Sequence, residues 1–137
     1  MKKIMSTNYS TAAFNIATLF LRVAFGILMF LNHGLTKLNK FSEMQNMFPD
    51  PFHVGHRFSL VLVIFAEVVC SLLLVLGLFS RFAAFVLFID VTVAIFFVHL
   101  GQPVDYKFEL AILHSAVYFS LVLIGPGKIS VDGMSGR

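Results

Sequence analysis

The 137 residues are 58% hydrophobic and only 12% charged, with seventeen Phe, no Trp and a formal net charge of +3. That make-up departs from the balance of soluble domains and places the chain in a membrane, which excludes an ordinary soluble enzyme. No basic cluster marks nucleic acid as a partner, while a mild positive charge suits an anionic lipid surface.

Lys2 and Lys3 precede the first apolar run as in a signal peptide, but the run is too long for a signal h-region and contains Arg22, so it reads as an uncleaved anchor. Stretches able to cross about 30 Å of hydrocarbon at about 1.5 Å per residue fall at about 14–36, 59–78, 82–100 and 108–124. They predict an all-α polytopic membrane protein with four transmembrane helices in an antiparallel up-down bundle. Between the first two helices, about 39–58, "MFPDPFHVGH" reads as an interfacial loop with one short amphipathic turn, or as a loop plugging the bundle. Gly77, Ser80 and Arg81 mark a tight turn between helices two and three. Gly101 and Pro103 stop the third helix, and Gly125 to Gly127 stop the fourth. Basic residues on the side of the termini (Lys2, Lys3, Arg81, Lys128, Arg137) slightly exceed those opposite (Lys37, Lys40, Arg57, Lys107), which favours cytoplasmic termini.

An ionisable residue inside a bilayer is costly unless it is paired. Counting from the helix ends puts Arg22 and Glu67 about 12 Å deep and Asp90 about 13 Å deep, all near the membrane centre. They form an expected structural charge cluster. One reading makes it a buried clasp fixing the order of four apolar helices. In the other, an arginine facing two carboxyls makes an unequal cluster that accepts or releases a proton, as quinone chemistry or a proton path requires. Helical spacing further places Arg22, Gly26, Met29, His33 and Lys37 on one inward stripe, Glu67, Cys70 and Ser71 on one face of helix two, and His114 with Tyr118 on one face of helix four. Cys70 is the sole cysteine, so neither an intrachain disulfide nor a CxxC pair exists.

All five histidines (His33, His53, His56, His99 and His114) fall on the half of the bundle away from the termini, and Glu109 joins them. A pocket at that level would hold imidazoles, Lys37 and a carboxylate, with aromatic walls from Phe residues and Tyr118. Four explanations stay open. The histidines are ordinary interfacial residues. They line a quinone headgroup site built from His33, Lys37, His114 and Tyr118, with Glu67, Asp90 or Glu109 handling protons. Two of them on facing helices ligate haem. Or His53-x-x-His56 binds a metal; that short loop pair lacks a third placed ligand, so no metal site is assigned.

The segments "LRVAFGILMFLNHGLTKL", "FAEVVCSLLLVLGLFSRFAAFVLFIDVTVAIFFVHL" and "FELAILHSAVYFSLVLIGPGKISVD" resemble the DoxX family of small four-helix bacterial membrane proteins. The shared pattern falls on Arg22 and Gly26, His33, Gly34 and Lys37, Glu67, Gly77 and Arg81, Asp90, Glu109 and Leu110, Gly125 to Gly127, and Ser130 with Asp132. The long His- and Pro-containing first loop departs from it. The resemblance implies a single DoxX-like membrane domain over 1–137 in a bacterial inner membrane. It also implies a link to quinone-dependent oxidation of thiosulfate or thiols, or to oxidative stress, as a subunit of a membrane oxidoreductase system. With no nucleotide motif, Fe–S cysteine set or CxxC, the chain depends on a soluble or membrane redox partner, or on the quinone, for electron transfer. The alternative is a non-enzymatic protein, structural or related to small-solute transport, as a single chain or a homo-oligomer, whose buried charges form a clasp or conduction path.

Overall fold

A computed structural model describes residues 4–99, 101 and 103–136; Lys2, Lys3, Leu100 and Arg137 lie outside the described residues, as does the side chain of His99. Among the described residues all regular structure is helical. Helix α1 (Thr11–Asn39) begins at Ser10, whose Oγ accepts the Ala13 N–H at 3.0 Å. A short α2 (Phe41–Met44) follows. Then come α3 (His56–Leu76), α4 (Ser80–Val98), α5 (Tyr106–Ile124) and a terminal turn of helix, α6 (Val131–Met134). Helices α1, α3, α4 and α5 are each long and apolar enough to cross a membrane.

Each spanning helix starts two or three residues before the apolar run that signals it, and in α1, α4 and α5 a polar side chain caps the added turn. Asp105, for example, accepts the Phe108 N–H and starts α5 at Tyr106. Three of the four helices carry a widened π turn: Phe30–Gly34 in α1, Phe65–Cys70 in α3 and Ile95–His99 at the C-terminal end of α4. Such turns change which side chains face a neighbour and concentrate at functional sites.

The four spans form a ring in which α1 packs on α3, α3 on α4, α4 on α5 and α5 back on α1. Apolar surface does not drive helices together in lipid; close packing at small residues does. Here Gly26 and Gly34 let α1 approach α3. A Cβ on Gly34 would stand 2.5 Å from the Glu67 carbonyl oxygen, and one on Gly26 would stand 2.5 Å from a Val75 methyl. These two contacts set the antiparallel register. Inside the ring lie Met29, Leu74, Leu87, Val91, Tyr118 and Leu121. Phe20, Phe82, Phe85, Phe96 and Leu123 point outward, where lipid is the solvent.

The chain reverses between α3 and α4 through Gly77, whose φ of 75° is left-handed. Nothing larger fits there, since an added Cβ would lie 2.3 Å from both Arg22 Nη1 and Ser130 Cβ. The segment after α5 folds back under this turn. Asp132 accepts from the Phe79 and Ser80 N–H groups at 3.0 and 2.8 Å, so it caps α4 from the far end of the sequence, and its own N–H donates to the Gly77 carbonyl at 2.9 Å.

Candidate functional site

The stripe on α1 faces the interior throughout: Arg22, Gly26 and Met29 are buried, and His33 and Lys37 are half-buried. Its charged members, however, serve two separate centres.

The expected cluster of Arg22 with Glu67 and Asp90 does not assemble. Fully buried, Arg22 donates through Nη1 to the carbonyls of Leu74 and Val75, both at 3.4 Å, and through Nη2 to the carbonyl of Ile129. The carboxylate that acts on it is that of Asp132. The reason is register. Gly34, not Arg22, stands against Glu67, and twelve residues of helix separate the two levels by about 18 Å. Arg22 therefore satisfies the open carbonyls at the C-terminal end of α3 and fastens the returning tail, a structural task.

The second centre lies toward the opposite end of the bundle. Lys37 Nζ meets Glu67 Oε2 at 2.7 Å, with the two side chains 19% and 7% exposed. The π turn of α3 carries Glu67, and the Asp90 side chain on α4 lines the same recess. One ammonium thus faces two carboxyls, the imbalance expected of the cluster, but with Lys37 as the cation. His33 and His114 stand beside it, their rings edge-on with centroids 6.2 Å apart.

These side chains line a cavity of about 920 Å³. Lys37, Glu67, Asp90, His33 and His114 form its polar part, while Met29, Leu62, Val63, Val86, Ile89 and Ala94 are among its apolar walls. The loop after α2 forms the roof with Phe48, Pro49, Pro51 and Phe52, so the first loop covers the bundle. Phe52 packs edge-on against Phe97 of α4 at 5.6 Å. Asp50 folds this roof, accepting from Val54 N, Gly55 N and Ser59 Oγ at 3.0, 2.8 and 2.9 Å. Desolvation pushes the Asp50 carboxyl up, but the hydrogen bonds from Gly55, Ser59 and Val54, helped by His56, outweigh it and hold the group below the usual carboxylate range.

Two expected members of the pocket lie off its wall. Glu109 is exposed in the first turn of α5, where a carboxylate suits the helix N-terminus. Tyr118 is fully buried and donates its O–H to the Phe25 carbonyl at 3.1 Å, tying α5 to α1. In the loop pair, His56 Nδ1 is engaged with the Phe48 carbonyl at 2.6 Å. Among the described residues no group of three or more His, Cys, Asp or Glu side chains is placed to hold a metal ion. Sequence reasoning missed the roles of Gly77, Ser130 and Asp132 as a tail dock and that of Asp50 as the organiser of the roof. The S-x-D spacing after a helix stop is an N-cap signal, and the Pro-Asp-Pro run is a turn signal, but neither says what it docks against.

A ring of four membrane-crossing helices around a roofed, largely apolar cavity with a polar recess defines a multi-pass membrane protein. The chain belongs to the DoxX family, whose model matches residues 17–100. It is 35% identical to an uncharacterized protein of Haemophilus influenzae over 119 residues, covering 82% of this chain and 86% of that one. A second uncharacterized protein of the same organism is 31% identical over 110 residues, covering 75% and 73% of the two chains. No solved structure matches the chain.

Proposed function

We propose that the cavity binds a lipophilic quinone, and that the protein is the quinone-interacting subunit of a membrane oxidoreductase system that draws electrons from a thiosulfate- or thiol-oxidising partner. The observation that supports this reading most is the combination in one cavity of apolar walls with an ammonium, two carboxyls and two imidazoles. The donor set fits the group, since Lys37 and His33 line the recess and can donate to its carbonyl oxygens. A volume of about 920 Å³ accommodates a ring headgroup and part of an isoprenoid tail.

A bound quinone supplies a two-electron, two-proton couple. The chain's own residues contribute the rest. His33 orients the headgroup, and Lys37 supplies a positive field there. Asp90 and Glu67, which line the same recess, take up a proton and pass it to the headgroup. The Phe and Pro roof excludes water.

Protein purified in native-lipid nanodiscs is expected to carry quinone detectable by mass spectrometry. His33→Ala and Asp90→Asn should each lower retention roughly tenfold, one hydrogen bond's worth. Glu109→Gln should leave retention unchanged, because Glu109 is off the cavity wall. Absence of quinone from the wild type, or equal retention in every variant, would favour the non-enzymatic alternative.

We place the protein in a bacterial inner membrane with cytoplasmic termini. A reporter fused after Arg137 should give a cytoplasmic signal and one inserted near Asp50 a periplasmic signal. The reverse pair would invert the orientation, and matching signals would rule out four spans.

A further inference from the structure

His114 is 5% exposed, and its Nδ1 lies 2.8 Å from the carbonyl oxygen of Leu110, one turn earlier on α5. A carbonyl can only accept, so Nδ1 carries the proton, and in the neutral ring Nε2 is left as a bare lone pair. That nitrogen is buried without a partner, and among the described residues His114 is the one cavity-lining residue with such an atom. Neighbouring rings close off the alternatives: Phe25 stands edge-on at 5.0 Å, Tyr118 lies at 5.8 Å with its hydroxyl already given to Phe25, and His33 is at 6.2 Å. The cation of the recess, Lys37, is engaged by Glu67.

The missing partner is therefore a hydrogen-bond donor. A quinone carbonyl offers lone pairs alone, whereas a quinol offers O–H. Resting on the quinone reading above, the geometry points to a site selective for the reduced ligand, in which His114 Nε2 accepts a hydrogen bond from a quinol hydroxyl. A site built to hydrogen-bond a hydroxyl rejects the analogue that lacks it, because the buried acceptor is otherwise stranded. A preference of about tenfold for quinol would raise the potential of the bound couple by about 30 mV, making the bound quinone a better electron acceptor than the membrane pool.

The test is anaerobic equilibrium dialysis of the protein in nanodiscs against duroquinol, duroquinone and the dimethyl ether of duroquinol. Duroquinol should bind about tenfold more tightly than duroquinone, and the ether, which has no O–H, should bind no better than the quinone. In His114→Leu, which removes the stranded acceptor, the preference should fall to near unity with duroquinone binding retained. Equal binding of quinol and quinone, tighter binding of the quinone, strong binding of the ether, or a preference that survives in His114→Leu would each overturn the inference while leaving the quinone site standing. Binding of none of the three would overturn the quinone reading itself, and this inference with it.

Discussion

Arg22→Leu is expected to destabilise the protein by about 3 kcal/mol or more, read as a lowered melting temperature in detergent or nanodiscs. Leucine fills the space but leaves the carbonyls of Val75 and Ile129 without this donor, while that of Leu74 keeps the Gly77 N–H, and each stranded buried acceptor costs about 1–3 kcal/mol. Asp132 also loses the cation beside it. Arg22→Lys should recover only part of the loss, because an ammonium cannot span carbonyls on two different segments as a guanidinium fork does. The informative comparison is with second substitutions. Glu67→Gln or Asp90→Asn added to Arg22→Leu should restore nothing, since those carboxyls belong to the other centre and distant sites contribute independently. Recovery by either would mean that Arg22 compensates them and that the two centres are one.

The separation of these centres shows what was legible in the sequence. The stripe from Arg22 to Lys37 could be read because side-chain direction repeats at about 100° per residue, whatever the helix packs against. The four spans could be read because bilayer thickness imposes their length. Which acid each cation meets depends instead on the vertical register of α1 against α3. That register is fixed by Gly26 and Gly34 fitting against the α3 backbone, a contact between segments about forty residues apart in sequence. Depth counted from estimated helix ends put Arg22, Glu67 and Asp90 at one level; the glycines put Lys37 there.

Other features escape sequence reasoning for a related reason. The partners of Arg22 are backbone carbonyls, and every residue has one, so no side-chain pattern announces them. Asp132 caps a helix that begins 52 residues before it, and Asp50 organises a loop through hydrogen bonds four to nine residues ahead. The roof has further support in the contact of Phe52 with Phe97, which brings the loop and α4 together. Among the histidines, His114 stands out through what it lacks, since an unfilled lone pair is a property of the folded interior alone. The long first loop, where the chain departs from the family pattern, proves to be the cover of the cavity.

Lys37→Met should cost about 3 kcal/mol, the lower end of the range for removing one partner of a buried ion pair, because Lys37 keeps some access to water. The loss arises from Glu67, which is nearly enclosed and would be left beside a second carboxyl, Asp90, without its cation. Glu67→Gln alone should cost less, since Lys37 is the more exposed partner and its flexible stem lets the ammonium reach toward the interface. The double variant Lys37→Met with Glu67→Gln should therefore be more stable than Lys37→Met by about 2 kcal/mol, as expected when the stranded charge itself is removed. Thermal melts of the four proteins complete the cycle. Simple addition of the two single losses would show that Lys37 and Glu67 are not coupled, and the polar recess of the cavity would then lack its neutralising cation. Strong coupling with near-complete rescue would instead locate the cost in the Glu67 carboxylate, and the same variants could then be used to ask whether the ammonium, the carboxyl or both are needed to retain quinone.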